Sequence, residues 1–528
     1  MEKFFVISLL PAILFTILKT KKSLHMLQQS YYDDGLRYLK WIWNNRYEVF
    51  LSLDLVFICF GFLGLAPNNI VMTLFLFIYI VILITYFNKV KNETSKLPLN
   101  FTKRIRRLCV TVLIIYLLPF ISIIFTYDRS LIAYYYLSIG GLIYFNYFII
   151  YIANIINQPI EKLVYLHYKR QAIRKLKSMP NMDVIGITGS YGKTTTKNCL
   201  NEILSTKYNV FPTPKNFNSA YGLINTVNNY LDRFNDYFIA EMGAYRIGEI
   251  KIRSDIVNPK YGILTKIGVA HLETFGSEEN IQTGKFELIE HLPSDGVAIL
   301  NKDDELQTSY KIKNHVKVIW ISAETKAEVY ATDIKADSNG MKFKCHFKDT
   351  VAEFETRLLG KANIYNILES LALAHYLGVS IEQMQVGVKK IKPSEHRLEL
   401  KKNGHITYID DAYNSNPIGS NMALDVLNLM DGKKIVVTPG MIELGAKQYE
   451  ANFEFGKHIA EVADEVILVG SVQTKPIQDG LSTKNFKNIF IVNDVKEAFM
   501  IINKLANKKT YVLLENDLPD MFNEGSKI

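Results

Sequence analysis

Between Val184 and Leu200 the chain reads VIGITGSYGKTTTKNCL. Seven of these residues, Gly189-Ser190-Tyr191-Gly192-Lys193-Thr194-Thr195, have the types and spacing that grip a polyphosphate. Glycines let backbone N–H groups turn toward phosphate oxygens, and Lys193 brings a compact positive charge. The Thr194 hydroxyl can reach a Mg2+ ion, and the helix that opens behind the loop presents its positive end. The loop departs from the generic phosphate-loop pattern at one place: Ile187 stands six residues before the lysine, where that pattern has glycine. Glu241 closes a predicted strand and His271 follows another. Both therefore fall at strand C-terminal ends beside the loop, where a carboxylate and an imidazole can ligate Mg2+ together with Thr194.

The elements that must position these residues begin at Asp183. Short apolar runs at Val184–Thr188, Tyr237–Glu241, Tyr261–Thr265 and Val297–Leu300 alternate with helical stretches, the pattern of an α/β domain. A second set begins at about Pro393. Strands are expected at Ile435–Thr438, Glu465–Val469, Ile489–Val492 and Thr510–Leu514, forming a parallel, Rossmann-like sheet. No glycine-rich dinucleotide fingerprint accompanies it, so NAD is not expected.

The first third of the chain has a different character. Ile70 to Phe87, Leu108 to Tyr127 and Leu131 to Ile156 lack charge, and each is long enough to cross a hydrocarbon core of about 30 Å as a helix. Val49 to Ala66 is similar but carries Asp54, expected at the interface. Phe4 to Leu18 contains Pro11 and is read as a first span, because Lys19, Lys21 and Lys22 follow it and no small-residue cleavage site does. The segments Thr20–Tyr47 and Asn88–Arg107 are rich in Lys and Arg, and the alternate loops are almost free of them. The positive-inside rule then places five spans with the N-terminus outside and everything after Ile156 in the cytoplasm, where ATP is available. Glu161 to Ser178 reads as a basic helix against the membrane. The net charge of +9 thus points to membrane lipids as partners, and no nucleic acid is expected. The four cysteines, Cys59, Cys109, Cys199 and Cys345, suit a reduced compartment without a disulfide framework.

The glycine spacing of Gly186 to Thr195 resembles the loop of the Mur ligases. EMGAYRIGEI (Glu241 to Ile250) and ILTKIGVAHLETFGSEENI (Ile263 to Ile281) resemble the MurF branch, and GKANIYNIL, HRLEL and IDDAYNSNP follow in family order. The match covers roughly Asp183 to Val469. The uncharged runs and basic stretches above give a helical membrane region over 1–156 and a basic linker over 157–182. A Mur-ligase-like central ATPase domain would occupy 183–392 and a Rossmann-like C-terminal domain 393–528. The resemblance implies a reaction in which ATP phosphorylates a carboxylate and an amine attacks the acyl phosphate.

Residue by residue, Lys193, Arg397 and His271 would act on the reacting phosphates. Lys285 matches the lysine that the family carbamylates into a metal ligand, although Gly284 replaces the usual alanine. Asn366 would contact adenine with Asn363 beside it, while Ala362 replaces the usual histidine. Arg397 would reach the phosphates, with His396 in place of a glycine. Asp411 and Asn416 would order the loop that closes on ATP. Asn216, Asn218, Tyr413 and Asn414 would stand near the acceptor. ATP and Mg2+ are the expected cofactors.

Three departures define what is new. No room exists between Ile156 and Asp183 for the UDP-binding domain of soluble family members. Gly440 stands in TPGMIELG where an aspartate is usual. The chain closes with YVLLENDLPDMF where the MurF ending carries a Lys-Gly-Ser-Arg element. The expected function is an ATP-dependent ligase at the cytoplasmic membrane face. It would join an amino acid or short peptide amine to a carboxylate on a cell-wall precursor, a lipid-linked one being what the anchor would deliver. The alternatives are a membrane-bound polyglutamate-type synthase and a nucleotide-binding scaffold without catalysis.

Overall fold

A computed structural model describes residues 2–30, 32, 36–50, 69–92, 98–126 and 132–517, apart from 216, 269–270, 413–414, 443 and 508, together with a few residues between 55 and 62. Asp54, Asn216, Tyr413 and Asn414, most of the expected Val49–Ala66 span, and the chain end from 518 lie outside the described residues. The chain divides into two compact units, one reaching to Tyr165 and one starting at Leu166.

The first unit is helical. Its long helices are Glu2–Gln29, Asn69–Asn92, Lys103–Thr126, Ile132–Tyr144 and the first part of Asn146–Lys177. Among the described residues, the helix stretch Ile70–Asn88 is long and apolar enough to cross a membrane by itself. The expected span over 131–156 is not one straight helix: it bends by 79° between Tyr144 and Asn146. The break has a local cause. Buried Lys19 donates from Nζ to the carbonyl of Ile143 at 3.2 Å, which a continuing helix would have used itself. Asn146 Nδ2 donates to Thr20 Oγ1 and Tyr116 OH at 2.8 and 2.9 Å. The expected basic linker is also no separate element, because Asn146–Lys177 is one helix.

The second unit holds two sheets. Strands β1 (Asp183–Thr188), β2 (Val210–Pro212), β3 (Tyr237–Glu241), β4 (Tyr261–Leu264), β5 (Val297–Asn301), β6 (Lys317–Ser322), β7 (Val329–Asp337), β8 (Gly340–His346) and β9 (Val351–Thr356) form the first. Their order is β2-β3-β1-β4-β5-β6-β7-β8-β9, with β1 to β7 paired in parallel and β7, β8 and β9 antiparallel. The apolar runs of β1, β3, β4 and β5 are buried on both faces, as parallel strands between helix layers must be. The helices Lys193–Leu204, Ala362–Tyr376 and Ile381–Lys390 share one apolar cluster with Ile185, Ile187 and Ile263. The helix Glu278–His291 presses Leu288 on Gly186 so closely that a Cβ there would meet Leu288 Cδ1 at 2.6 Å.

The C-terminal sheet contains β10 (Glu399–Asn403), β11 (Ile406–Asp411), β12 (Lys433–Thr438), β13 (Glu465–Val469), β14 (Ile489–Val492) and β15 (Thr510–Glu515), in the order β10-β11-β15-β12-β13-β14. It is parallel, as expected, except that β10 runs antiparallel to β11. Parallel register sets Asp411 beside Glu515 at the strand ends.

Glu369 gives a test of this packing. It is fully buried in Ala362–Tyr376 and accepts from Thr196 Oγ1 at 2.9 Å. Burial pushes its carboxyl up to about 8, against the pull of the Thr196 hydrogen bond. Its folded value therefore exceeds its unfolded one, and the native state holds the proton longer. Stability should fall as pH rises from about 5 to about 8, because the unfolded chain gains by ionising. Glu369→Gln is expected to remove that slope in thermal unfolding while keeping the acceptor for Thr196. An unchanged slope would assign the proton elsewhere.

Candidate functional site

The strand ends of both sheets meet around one cavity of about 410 Å³. Ser190, Tyr191, Gly192, Lys193, Thr194, Thr195, Asn218, Glu241, His271, Asn366, Arg397, Asp411 and Asn416 all line it. Sequence reasoning selected every one of these, from segments far apart in the chain. Gly189 lies beneath the loop, and Lys285 is set behind the cavity wall.

The loop is shaped by its glycines. Gly189 has φ +149°, and a Cβ there would meet Thr265 Oγ1 at 2.0 Å. Gly192 has φ +85°, and a Cβ would meet Asn366 Oδ1 at 2.3 Å. The loop is held from β4's end: the N–H groups of Ser190 and Tyr191 donate to Lys266 O, and Thr265 Oγ1 donates to Tyr191 O at 2.5 Å. Lys193 Nζ donates to Gly189 O and Ser190 O at 2.7 and 2.9 Å, closing over its own loop. Burial lowers its pKa to about 8; Glu241 opposes that shift and Arg397 adds to it.

Glu241 is the centre of the polar network. It ends β3 with 1% of its surface exposed. Thr194 Oγ1 and Asn218 Nδ2 each reach its Oε1 at 3.1 Å. Its Oε2 forms an ion pair with Lys197 Nζ at 3.0 Å. Burial raises its carboxyl, but Lys197 and Lys193 outweigh burial and hold it below its ordinary value. Lys197 was not among the residues singled out from sequence. Its signal was its place four residues after Lys193 on the same helix, hence on the same face. The same ammonium donates to the carbonyls of Thr213 and Lys215 at 3.0 and 2.6 Å, so it also fastens the start of the asparagine-rich loop.

His271 has φ +61° and opens the short helix Leu272–Phe275, with its ring 4.4 Å from that of Tyr245. Lys285 is 1% exposed; its Nζ donates to Ala244 O at 3.1 Å, and Ala244 itself lines the cavity. Burial, helped by Lys193 and Arg253, drives its pKa well below the usual lysine range. Gly284 beside it has a structural reason, since a Cβ would meet the Phe275 ring at 2.8 Å.

On the other side, Asn366 donates to Asn363 Oδ1 and receives Thr196 Oγ1 at 2.8 and 3.2 Å. Asp411 Oδ1 accepts from the N–H of Leu398 at 3.1 Å, tying it to the residue after Arg397. Burial raises Asp411 to about 6, and the Leu398 N–H and Arg397 pull against it. Asn416 caps the helix Pro417–Asn428 through the N–H of Gly419 at 2.9 Å. Glu515, unremarked in the sequence, is fully buried and accepts from Ser415 and Ser420 at 2.7 and 2.8 Å. Burial and Asp411 push its carboxyl well above the usual range.

No group of three His, Cys, Asp or Glu side chains converges among the described residues. The Thr194 hydroxyl and Glu241 carboxylate do fit an octahedral Mg2+. Their 3.1 Å separation is close to the spacing of about 2.9 Å between neighbouring ligands that each lie about 2.05 Å from the ion. Two oxygen donors leave most positions to water and substrate phosphates, as Mg2+ prefers. Lys197→Met should leave Glu241 buried without its partner and cost about 3 kcal/mol in stability. It should also raise the Mg2+ concentration needed for turnover. Lys197→Arg should recover part of both, and equal Mg2+ dependence in all three proteins would contradict this role.

Comparison with known proteins places these features in a family. The profile of the Mur ligase middle domain matches residues 187–374. That of the Mur ligase glutamate ligase domain matches residues 396–515. UDP-N-acetylmuramoyl-tripeptide–D-alanyl-D-alanine ligase of Bacillus subtilis is 30% identical over 337 residues, covering 63% of this chain and 72% of that protein. The Escherichia coli protein of the same name is 30% identical over 293 residues, covering 54% of this chain and 64% of its own. MurF from Acinetobacter baumannii superposes with a TM-score of 0.61 at 27% identity, over 67% of this chain and 77% of that one. MurF ligase from Thermotoga maritima, solved in complex with ADP, gives 0.61 at 26% identity, over 69% and 82%.

Proposed function

The chain belongs to the Mur ligase family and is an ATP-dependent ligase, and from that premise we propose that it joins an amino acid or short peptide to a lipid-linked cell-wall precursor at the cytoplasmic face of the membrane. The observation that carries the ligase chemistry is the convergence of Lys193, Thr194, Glu241, Arg397 and Asp411 on one cavity.

The reaction balances as two displacements. A carboxylate oxygen of the acceptor attacks the γ-phosphorus of ATP, and ADP leaves. The amine then attacks the acyl carbon, and inorganic phosphate departs with that oxygen while the amine gives up a proton. The first step brings two anions together, and the second releases phosphate, so the chain must supply positive charge. Lys193 and Arg397 both line the cavity and would do so. Thr194 and Glu241 are the residues that would hold Mg2+, which when bound neutralises the transferring phosphoryl group. Asn366 would contact the adenine, Asp411 would hold Arg397 or the ribose side, and Asn218 would stand near the acceptor.

Lys285 is the proposed carbamylation site. Its amine is buried and its pKa is driven well below the usual lysine range, which favours the uncharged form that adds to carbon dioxide, and the resulting anion would lie near Lys193 and Arg253. His271 lines the cavity close to the same wall. Lys285→Ala is expected to lower turnover by about a hundredfold or more and to remove any dependence on bicarbonate, read as phosphate release with and without degassing. A fully active Lys285→Ala protein would exclude the adduct.

The membrane part of the proposal rests on the helix Ile70–Asn88, on the bent pair Tyr134–Tyr144 and Asn146–Lys177, and on the basic loops read from sequence. A multi-pass anchor would hold the enzyme where lipid-linked precursors lie. It would replace the UDP-binding domain, which nothing between Ile156 and Asp183 can form. The test is phosphate release by full-length protein in detergent with ATP, Mg2+, a panel of amino acids and a lipid extract of the source cells. Release should require both an amine and the lipid fraction and vanish in Lys193→Ala. Equal turnover with soluble UDP-linked peptides would overturn the lipid-linked acceptor.

A further inference from the structure

The middle domain carries a set of large apolar side chains in water that its core and its cavity do not use. Tyr221, Tyr230 and Phe234 are 55%, 49% and 68% exposed. They belong to the helix Ala220–Asn229 and the loop after it, next to β2, the edge strand of the sheet. Tyr230 stacks on Phe211 of β2 with ring centroids 6.4 Å apart, and the Arg233 guanidinium lies 5.2 Å over the Phe234 ring.

The same surface receives the end of the long helix Asn146–Lys177. Lys175 Nζ donates to Asn228 O at 3.2 Å, and Asn228 Nδ2 donates to Tyr168 O at 3.1 Å. Tyr221 and Asn228 are seven residues apart on one helix, so they share a face. Five basic residues lie between Lys169 and Lys177. The carboxylates nearby are Asp232, which accepts from Phe234 N–H, and Asp236, which accepts from Asn209 N–H. Exposed aromatic rings mixed with Arg and Lys are the composition of a surface at the membrane–water boundary, where rings sit among headgroups and cations meet anionic lipid.

We propose that this face is a docking surface for an anionic lipid bilayer, with Tyr221, Tyr230 and Phe234 seated at headgroup level and Arg233 and the basic helix end over the lipid phosphates. The inference rests on the reading above that the chain before Ile156 is membrane-embedded. The cavity opens at the N-terminal end of the helix Ala220–Asn229. Ser219 caps Ala220–Asn229 by accepting from Gly222 N–H at 3.1 Å, and its neighbour Asn218 bonds Glu241 inside the site.

The test uses full-length protein in vesicles of phosphatidylcholine with about one-third phosphatidylglycerol. A bimane reporter is placed at Phe234→Cys on a background with Cys59 and Cys109 replaced by alanine. Vesicle flotation reports insertion independently of the face. The expected result is complete flotation with the reporter shielded from aqueous iodide and quenched by lipids bearing a nitroxide near the headgroup. Shielding should weaken in pure phosphatidylcholine and at high salt. Complete flotation with full iodide access would overturn the docking face and leave the anchor standing, whereas failure to float would overturn the membrane reading itself. Arg233→Glu should lower turnover of vesicle-borne lipid extract about fivefold with ATP affinity unchanged. Unchanged turnover would count against the face.

Discussion

Burying one carboxylate sets the terms for the rest of the catalytic unit. Glu241 ends a strand that is covered on both sides, so its charge survives only if cations stand against it. Lys197 and Lys193, one turn apart on the helix behind the phosphate loop, supply them. That pairing fixes the rotation of the helix, and so the placement of the Thr194 hydroxyl on the same carboxylate. It also draws the loop with Asn218 toward the nucleotide, because Lys197 binds two of that loop's carbonyls. One ammonium therefore couples the phosphate side of the cavity to the acceptor side.

Much of this was legible in the sequence, for identifiable reasons. Strands β1, β3, β4, β5, β12, β13, β14 and β15 are short apolar runs, and buried parallel strands can hardly be anything else. Site residues at strand ends and in the phosphate loop were found because their chemistry demands particular side chains at particular spacing. The antiparallel strands β7 to β9 were missed: their outward residues are polar, as in Lys342, Lys344, Glu353 and Glu355, and this dilutes the apolar signal. Lys197 and Glu515 were missed because a buried charge has no signature of its own. Only the partner, Glu241 for one and Ser415 with Ser420 for the other, gives it meaning. The bend at Phe145 was hidden for the same reason, since its cause, Lys19, lies more than a hundred residues earlier.

The departures from the family pattern show where this chain differs. Gly284 follows from Phe275, which fills the space that a larger residue would need. Glu515, buried beside Asp411, anchors the segment holding Ser415 and Asn416 and is not among the residues lining the cavity. The phosphate-loop and strand-end residues of the family pattern are kept, while Gly284, Gly440 and the chain end depart from it.

The most direct measurement follows a labelled amine. Full-length protein, ATP, Mg2+, a labelled amino acid and the lipid extract are incubated and partitioned between butanol and water, and phosphate is counted in the same tube. The account predicts one amide bond per phosphate, with the label moving into the lipid phase. Phosphate without amide, or label carried into water on a UDP-linked product, would contradict it.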